Sequence, residues 1–381
     1  MLAAIEAFFA EAVAWRRDFH QHPELSFAEH RTAARVAELL RSFGCDLVEA
    51  GIGGTGVVAV IHGRGPGRRI GLRADMDALP IHEASGVDFV SAVPGVMHAC
   101  GHDGHTAMLL AAAKYLAASR DFAGQAVLIF QPGEEAGGGA KAMIADGVLA
   151  RYPLDEVYAL HNMPGLAVGA YASRPGPIMA AADMFEIVIT GRGGHAAQPH
   201  LALDPVMIAG HVLVALQTVV SRNIDPLKPA VLSVSTVVSE GSGACVIPGR
   251  VVLTGTVRSF ELAVQDVLED RLRAVVLGVA AAHGGVATVD YLRDAPATVN
   301  DADCAAHALD VARGLSGAVE ADVAPMMVSE DFSEFLNAVP GAFMFVGNGD
   351  GPLLHHPAYA FNDAGLPYGA AWLAEMVRAR G

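Results

Sequence analysis

The order of apolar and polar positions divides the chain into distinct textures. Residues 2–20 and 28–43 carry apolar side chains at three- and four-residue spacing, which predicts two helices, the second stopped by Gly44. Short continuous apolar runs follow. Val57–His62 and Arg69–Arg73 read as buried strands, and the second leads into Ala74-Asp75-Met76-Asp77. Thr106–Ala118, rich in Ala and Leu, predicts a helix. Gln125–Phe130 and Glu156–Leu160 are further buried strands, ending at Gln131-Pro132-Gly133-Glu134-Glu135 and at His161-Asn162. Apolar strands alternating with helices predict a mostly parallel sheet covered by helices, an α/β fold that gathers its chemistry past the strand C-termini.

From about residue 181 the texture changes. Strand Met184–Thr190, helix Asp204–Ser221, strands Ala230–Ser239 and Arg250–Arg258, helix Glu261–Ala282 and strand Val286–Arg293 give the order β-α-β-β-α-β, a ferredoxin-like α+β module. Alternation then resumes with helix Ala302–Arg313, a helix opened by Ser329 as its N-cap, strand Ala342–Val346 and a last helix at about Leu366–Arg380. The expected organisation is an α/β domain of residues 1–180 and 294–381, interrupted by a unit of residues 181–293.

Composition narrows the function classes. At 381 residues and 52% hydrophobic content the chain is long enough for two or three domains with sizeable cores. A net charge of −16 argues against a nucleic-acid partner, which needs basic patches. Cys45, Cys100, Cys245 and Cys304 show no disulfide-framework spacing, so a reducing, cytoplasmic setting is expected. The first apolar run contains Glu6 and Glu11 and reads as a helix, not a signal peptide. No uncharged apolar run is expected to approach the ~18 residues of a membrane span.

The chemistry centres on Met97-His98-Ala99-Cys100-Gly101-His102-Asp103-Gly104-His105. A thiolate and an imidazole two residues apart can bind one cation, or two neighbouring ones, if the backbone turns sharply; Gly101 and Gly104 are expected to permit that turn. Of the adjacent Glu134 and Glu135, one can ligate a metal while the other stays free as a base. Together with His161 and His355 these donors suit two ions sharing a bridging ligand and a hydroxide. The mixture of sulfur, nitrogen and oxygen points to zinc, manganese, cobalt or nickel. His20 and His22 read as packing or surface residues, and His195, in the turn Gly191–His200, reads by itself as a loop histidine.

The runs RADMDALPIHE, MHACGHDGHTAMLL, FQPGEEAGGGAKAMI, ALHNMPG, GRGGHAAQPH, SEDFSEFL and LHHPAYAFND resemble the aminoacylase and hippurate hydrolase family of dinuclear metallo-amidohydrolases, from about His20 to Tyr368. They are most similar to its branch of hippurate hydrolases and indole-acetyl-amino-acid hydrolases. The resemblance implies a zinc-peptidase-like α/β/α catalytic domain with an inserted lid that makes a homodimer or a dimer of dimers. It implies two divalent metal ions held by Cys100, His102, Glu135, His161 and His355, with Glu134 as general base. Asp77 matches a carboxylate that orients a metal ligand, while Asp75 is left without a role. His195 matches a residue that hydrogen-bonds the scissile carbonyl, and Arg258 one that holds the substrate carboxylate. One departure falls at Ala244-Cys245-Val246-Ile247-Pro248, where Cys245 replaces an Asn that helps hold the substrate. The implied activity is hydrolysis of N-acyl amino acids, with the acyl group open. The alternatives are a dipeptidase or carboxypeptidase on the same scaffold, or a non-catalytic metal-binding ligand sensor.

Overall fold

The computed structural model describes residues 1–241 and 243–380, which divide into two compact units. The first comprises Met1–Ile178, Val299–Ala324 and Glu330 onward; the second comprises Met179–Thr298 and Pro325–Ser329.

In the first unit an eight-stranded sheet runs in the order Leu47–Ile52, Gly56–His62, Gln125–Gln131, Arg69–Asp75, Glu156–Pro164, Gly341–Gly349, Tyr171–Ala172 and Val319–Glu320. Its middle four strands are mutually parallel, whereas Leu47–Ile52 and Gly56–His62 join antiparallel. The parallel pairing expected therefore holds for the centre and recurs only in the short edge pair Tyr171–Ala172 and Val319–Glu320. Leu47–Ile52, whose residues are mostly half-exposed or exposed, lacks the continuous apolar run that marks the central strands. Alternate residues of each central strand enter opposite faces. Leu72, Leu128, Tyr158 and Met344 meet the helices His102–Ser119 and Leu366–Arg380 in one continuous core. Helix His102–Ser119 is buried on nearly every side, as a helix apolar all round should be.

The predicted first helix is broken into Leu2–Glu6 and Phe9–Gln21, because Phe8 leaves helical geometry at φ −124°. Gly44 closes His30–Phe43 in the left-handed conformation (φ 82°). Ser329 does not cap a helix: the helix begins later, at Ser333, with Phe332 as its cap residue. Glu330 and Asp331 are drawn instead onto the buried Arg73.

In the second unit the strands Ala230–Ser239, Arg250–Ser259, Ala181–Thr190 and Val286–Ala295 form an antiparallel sheet in that order. With helices Pro205–Asn223 and Leu262–Ala282, the order is the ferredoxin-like one predicted. By length and composition alone Pro205–Asn223 would suffice to cross a membrane, contrary to the expectation that no run comes so close. Its Ile208, Val212, Leu216 and Val219 pack in the core of this unit.

Candidate metal centre

Three neighbouring parallel strands deliver the polar groups. Arg69–Asp75 ends at Asp75, with Asp77 two residues on; Gln125–Gln131 leads into the loop of Glu134 and Glu135; Glu156–Pro164 carries His161. Cys100 and His102 flank Gly101, at the N-terminal end of the helix His102–Ser119. Gly101 has φ 91°, and a Cβ there would lie 2.3 Å from Asn162 Nδ2 and 2.5 Å from Tyr359 Oη, so both the turn and the close approach require glycine. Gly104 serves a different purpose from the one expected. It is helical, and a Cβ on it would stand 2.2 Å from the Phe361 ring.

The predicted ligands converge. Cys100 Sγ lies 3.4 Å from His161 Nε2, and Glu135 Oε1 lies 3.3 Å from His355 Nε2 and 3.9 Å from His102 Nε2. The donor atoms of Cys100, His102 and His161 are close enough to share one ion, as are those of Cys100, Glu135 and His355 and those of His102, Glu134 and Glu135. The two buried imidazoles are oriented from behind. His161 Nδ1 donates to the Asn162 carbonyl oxygen at 2.7 Å, which leaves Nε2 as the bare lone pair facing Cys100. His102 Nδ1 donates to the carbonyl and Oδ1 of Asp77 at 3.0 and 3.2 Å. Asp77 Oδ2 accepts from Ser26 Oγ (2.7 Å) and from the Glu135 N–H (2.9 Å), so this one carboxylate sets both His102 and Glu135. His355 reaches Glu135 from a left-handed backbone (φ 64°), a strained conformation of the kind that clusters at functional sites.

His105 also lies near Asp75 and His102, but its nitrogens are taken. Nδ1 donates to Asp75 Oδ1 at 2.6 Å, and Nε2 accepts from the Asn162 N–H at 3.0 Å. Asp75 pairs in turn with Arg73 at 2.6 Å, so its carboxylate links Arg73 to His105.

The electrostatics fit a cation. His102 Nε2 and Glu135 Oε1 are buried without a hydrogen-bond partner, a costly state for polar atoms unless a ligand completes them. Burial holds His161 well below the ordinary histidine range, so it presents a neutral imidazole. Burial pushes the Cys100 thiol well up, and a coordinated cation is what would make it a thiolate. Burial, reinforced by the carboxylates of Glu330, Asp331 and Glu135, raises Glu134 well above the usual carboxylate range.

Peptidase family M20/M25/M40 matches residues 71–379. The chain belongs to this family. It is 42% identical over 337 residues to thermostable carboxypeptidase 2 of Saccharolobus solfataricus, covering 87% of this chain and 84% of that protein. It is 40% identical over 363 residues to the hippurate hydrolase of Campylobacter jejuni, covering 95% and 94%. Among solved structures, the Bacillus subtilis YXEP protein, a dinuclear metal binding peptidase from the M20 family, superimposes with a TM-score of 0.85 at 34% identity, covering 99% of this chain and 100% of that one.

Three predicted residues of this M20 chain lie in its second unit. His195 forms a two-residue strand opposite Val246–Ile247, and the Ala196 N–H donates to the Cys245 carbonyl at 2.9 Å, so His195 and Cys245 are neighbours, both exposed. Arg258 is half-buried, its guanidinium donating to Thr256 Oγ1 and to the Val257 carbonyl. His20 belongs to no metal-ligating group among the described residues. It is buried between Asp103 (2.8 Å) and Glu83 (3.0 Å), in line with a packing role.

The residues that support the M20 site were missed from sequence. Arg73 is fully buried and bonds Gln131, Asp75, Glu330 and Asp331. The signal available was an arginine inside an otherwise apolar strand, Arg69-Ile70-Gly71-Leu72-Arg73, since such a charge must be paired. Glu29, buried, accepts from the Gly133 N–H at 2.8 Å and bonds Thr55, which anchors the start of the Glu134 loop from the other side.

Proposed function

We propose that this protein hydrolyses the amide bond of N-acyl-L-amino acids, releasing a carboxylic acid and a free amino acid. The observation that carries the proposal is the convergence of Cys100, His102, Glu135, His161 and His355 around two unpartnered buried atoms, with a carboxylate, Glu134, left over beside them. Those five side chains would hold two divalent ions, zinc, manganese, cobalt or nickel. Bound there, such ions supply Lewis acidity and make a coordinated water acidic enough to lose its proton near neutral pH. Glu134 accepts that proton and later delivers it to the leaving nitrogen, a role suited to a carboxylate whose affinity for protons is raised. Asp77 keeps His102 in the tautomer that presents Nε2. His195 is assigned the hydrogen bond to the developing oxyanion. Arg258 is assigned the substrate carboxylate, which its planar fork can bind with two hydrogen bonds.

A homodimer through the second unit belongs to the same proposal. It is supported by the position of Ala230–Ser239 at the edge of its sheet, with Val237 and Val238 50% and 62% exposed. A cytoplasmic location is supported by the four unpaired cysteines. The name of the carboxypeptidase relative keeps a peptidase reading open on the same site.

The test is amino-acid release from a panel of N-benzoyl, N-acetyl, indole-acetyl and fatty-acyl amino acids and dipeptides. Metal-stripped protein is reloaded with each of the four ions, beside Glu134→Gln. Metal-dependent release that drops about 10²–10⁴-fold in the variant supports the assignment. Metal binding without release from any substrate overturns it in favour of a sensor, and release from dipeptides alone favours the peptidase.

A further inference from the structure

We propose that Asp331 is a positioning residue for Glu134: its carboxylate clamps both ends of the loop that carries Glu134 and Glu135 and ties them to the buried guanidinium of Arg73. The inference rests on the amidohydrolase reading above and names how its base is held in place.

The geometry is a bracket. Asp331 Oδ1 accepts from Gln131 Nε2 at 2.7 Å, at the last residue of the strand before the loop. Asp331 Oδ2 accepts from the Ala140 N–H at 2.9 Å, in the first turn of the helix after it. The same Oδ1 receives Arg73 Nη2 at 3.0 Å, and Arg73 is locked further by Gln131 Oε1 (2.8 Å), Asp75 (2.6 Å) and Glu330 (2.9 Å). Asp331, Arg73 and Gln131 are all buried. In such a setting satisfied networks are stiff.

The loop needs this support. Gly133, Gly137 and Gly138 all have positive φ, and glycine-rich backbone has little stiffness of its own. No hydrogen bond among the described residues holds the Glu134 carboxylate itself, so its place is set by the backbone on either side. Glu29 and Asp77 fix the interior of the loop through the Gly133 and Glu135 N–H groups; Asp331 fixes its two ends. Glu134, Glu330 and Asp331 are near enough together to hold a cation, but Arg73 already lies against Glu330 and Asp331 and fills that part. An asparagine at 331 cannot reproduce the bracket. It offers one acceptor oxygen, and its amide N–H would face a donor, either the Ala140 N–H or the Arg73–Gln131 pair.

The experiment compares Asp331→Asn and Gln131→Met with wild type in metal-loaded protein. Gln131→Met removes one arm of the bracket and leaves the Arg73–Asp331 pair, so it serves if Asp331→Asn fails to fold. Expected for Asp331→Asn are a kcat lowered about 10–100-fold, as for a catalytic group displaced by about an ångström, KM within about threefold, wild-type metal content, and faster amide exchange confined to residues 132–140. Gln131→Met should show the same pattern, with about a 3–10-fold loss. A merely structural role would lower the melting temperature and leave kcat per metal-loaded site unchanged. Wild-type kcat in the folded variants, or unchanged exchange in the loop, overturns the inference. If wild type turns over no N-acyl amino acid, the function reading fails and the exchange data alone decide the bracket.

Discussion

The two units carry their site residues in opposite ways. In the first, Cys100, His102 and His161 are buried, and support comes from behind: Asp77 holds the His102 ring, the Asn162 carbonyl holds the His161 ring, and Asp331 and Glu29 hold the backbone of the Glu134 loop. In the second, His195 and Cys245 are exposed on a two-residue ladder, and the Ala197 N–H donating to His195 Nδ1 at 3.1 Å is a local contact within the same turn. A site that takes charge out of water needs support from several chain segments. An exposed turn that takes no charge out of water needs much less.

The largest effect that would sharpen this contrast comes from Arg73→Met. Losing the guanidinium removes the buried cation that Asp75, Glu330 and Asp331 share, and breaking such a group from one side costs about 3–5 kcal/mol. A denaturant melt should show that loss together with reduced metal content. No charge in the second unit should be comparably sensitive.

Substrate-side variants come next. His195→Ala is expected to lower kcat about 100-fold with unchanged stability, and Arg258→Ala to raise KM about 10–100-fold with little change in kcat. Steady-state kinetics beside a thermal melt separate the two. A large stability loss in His195→Ala would break the comparison, because it would show that the exposed turn is structural after all.

An effect of similar or smaller size is expected from pH. Burial works against a charge on His20, but the bonded carboxylates of Asp103 and Glu83 outweigh it and raise the imidazole from 6.5 to about 9. A group raised on folding contributes its full stabilisation below pH 6.5 and loses it as the pH climbs through 9. The loss is at most about 3 kcal/mol. Glu83 guards the acid side. Burial alone would raise it, yet its bonds to His20, Ser85 and the Ser91 N–H hold it at about 2, so its share is lost only as the pH falls toward that value. His20→Gln should flatten the alkaline decline, measured as the difference from wild type in stability between pH 6.5 and 9.

The smallest effect is that of Cys245→Asn. Placing an amide at this exposed position should change substrate ranking by about 2–10-fold, the worth of one hydrogen bond, and leave the melting temperature unchanged. Competition between paired substrates would read it.

The sequence by itself determined which atoms could do chemistry and roughly where they stand. Thiol, imidazole and carboxylate side chains are chemically distinctive, and strand ends are marked by local apolar periodicity, so local pattern alone places Cys100, His102, Glu134, Glu135 and His161 at strand ends or in the loops beside them. The ferredoxin-like order of the second unit was legible for the same reason. Only the tertiary structure decided what holds those atoms. Arg73 meets Glu330 across 257 residues of chain, Asp331 meets Gln131 across 200, and His20 meets Asp103 across 83. Nothing local tells one carboxylate from another as the partner of a buried arginine, so Glu330 and Asp331 read as the opening of a helix until the fold carried Arg73 to them. Gly104 is a similar case: its glycine character was plain, but the Phe361 ring that requires it arrives from the far end of the chain. Periodicity is a property of neighbours in sequence, whereas the pairing of buried charge is a property of neighbours in space.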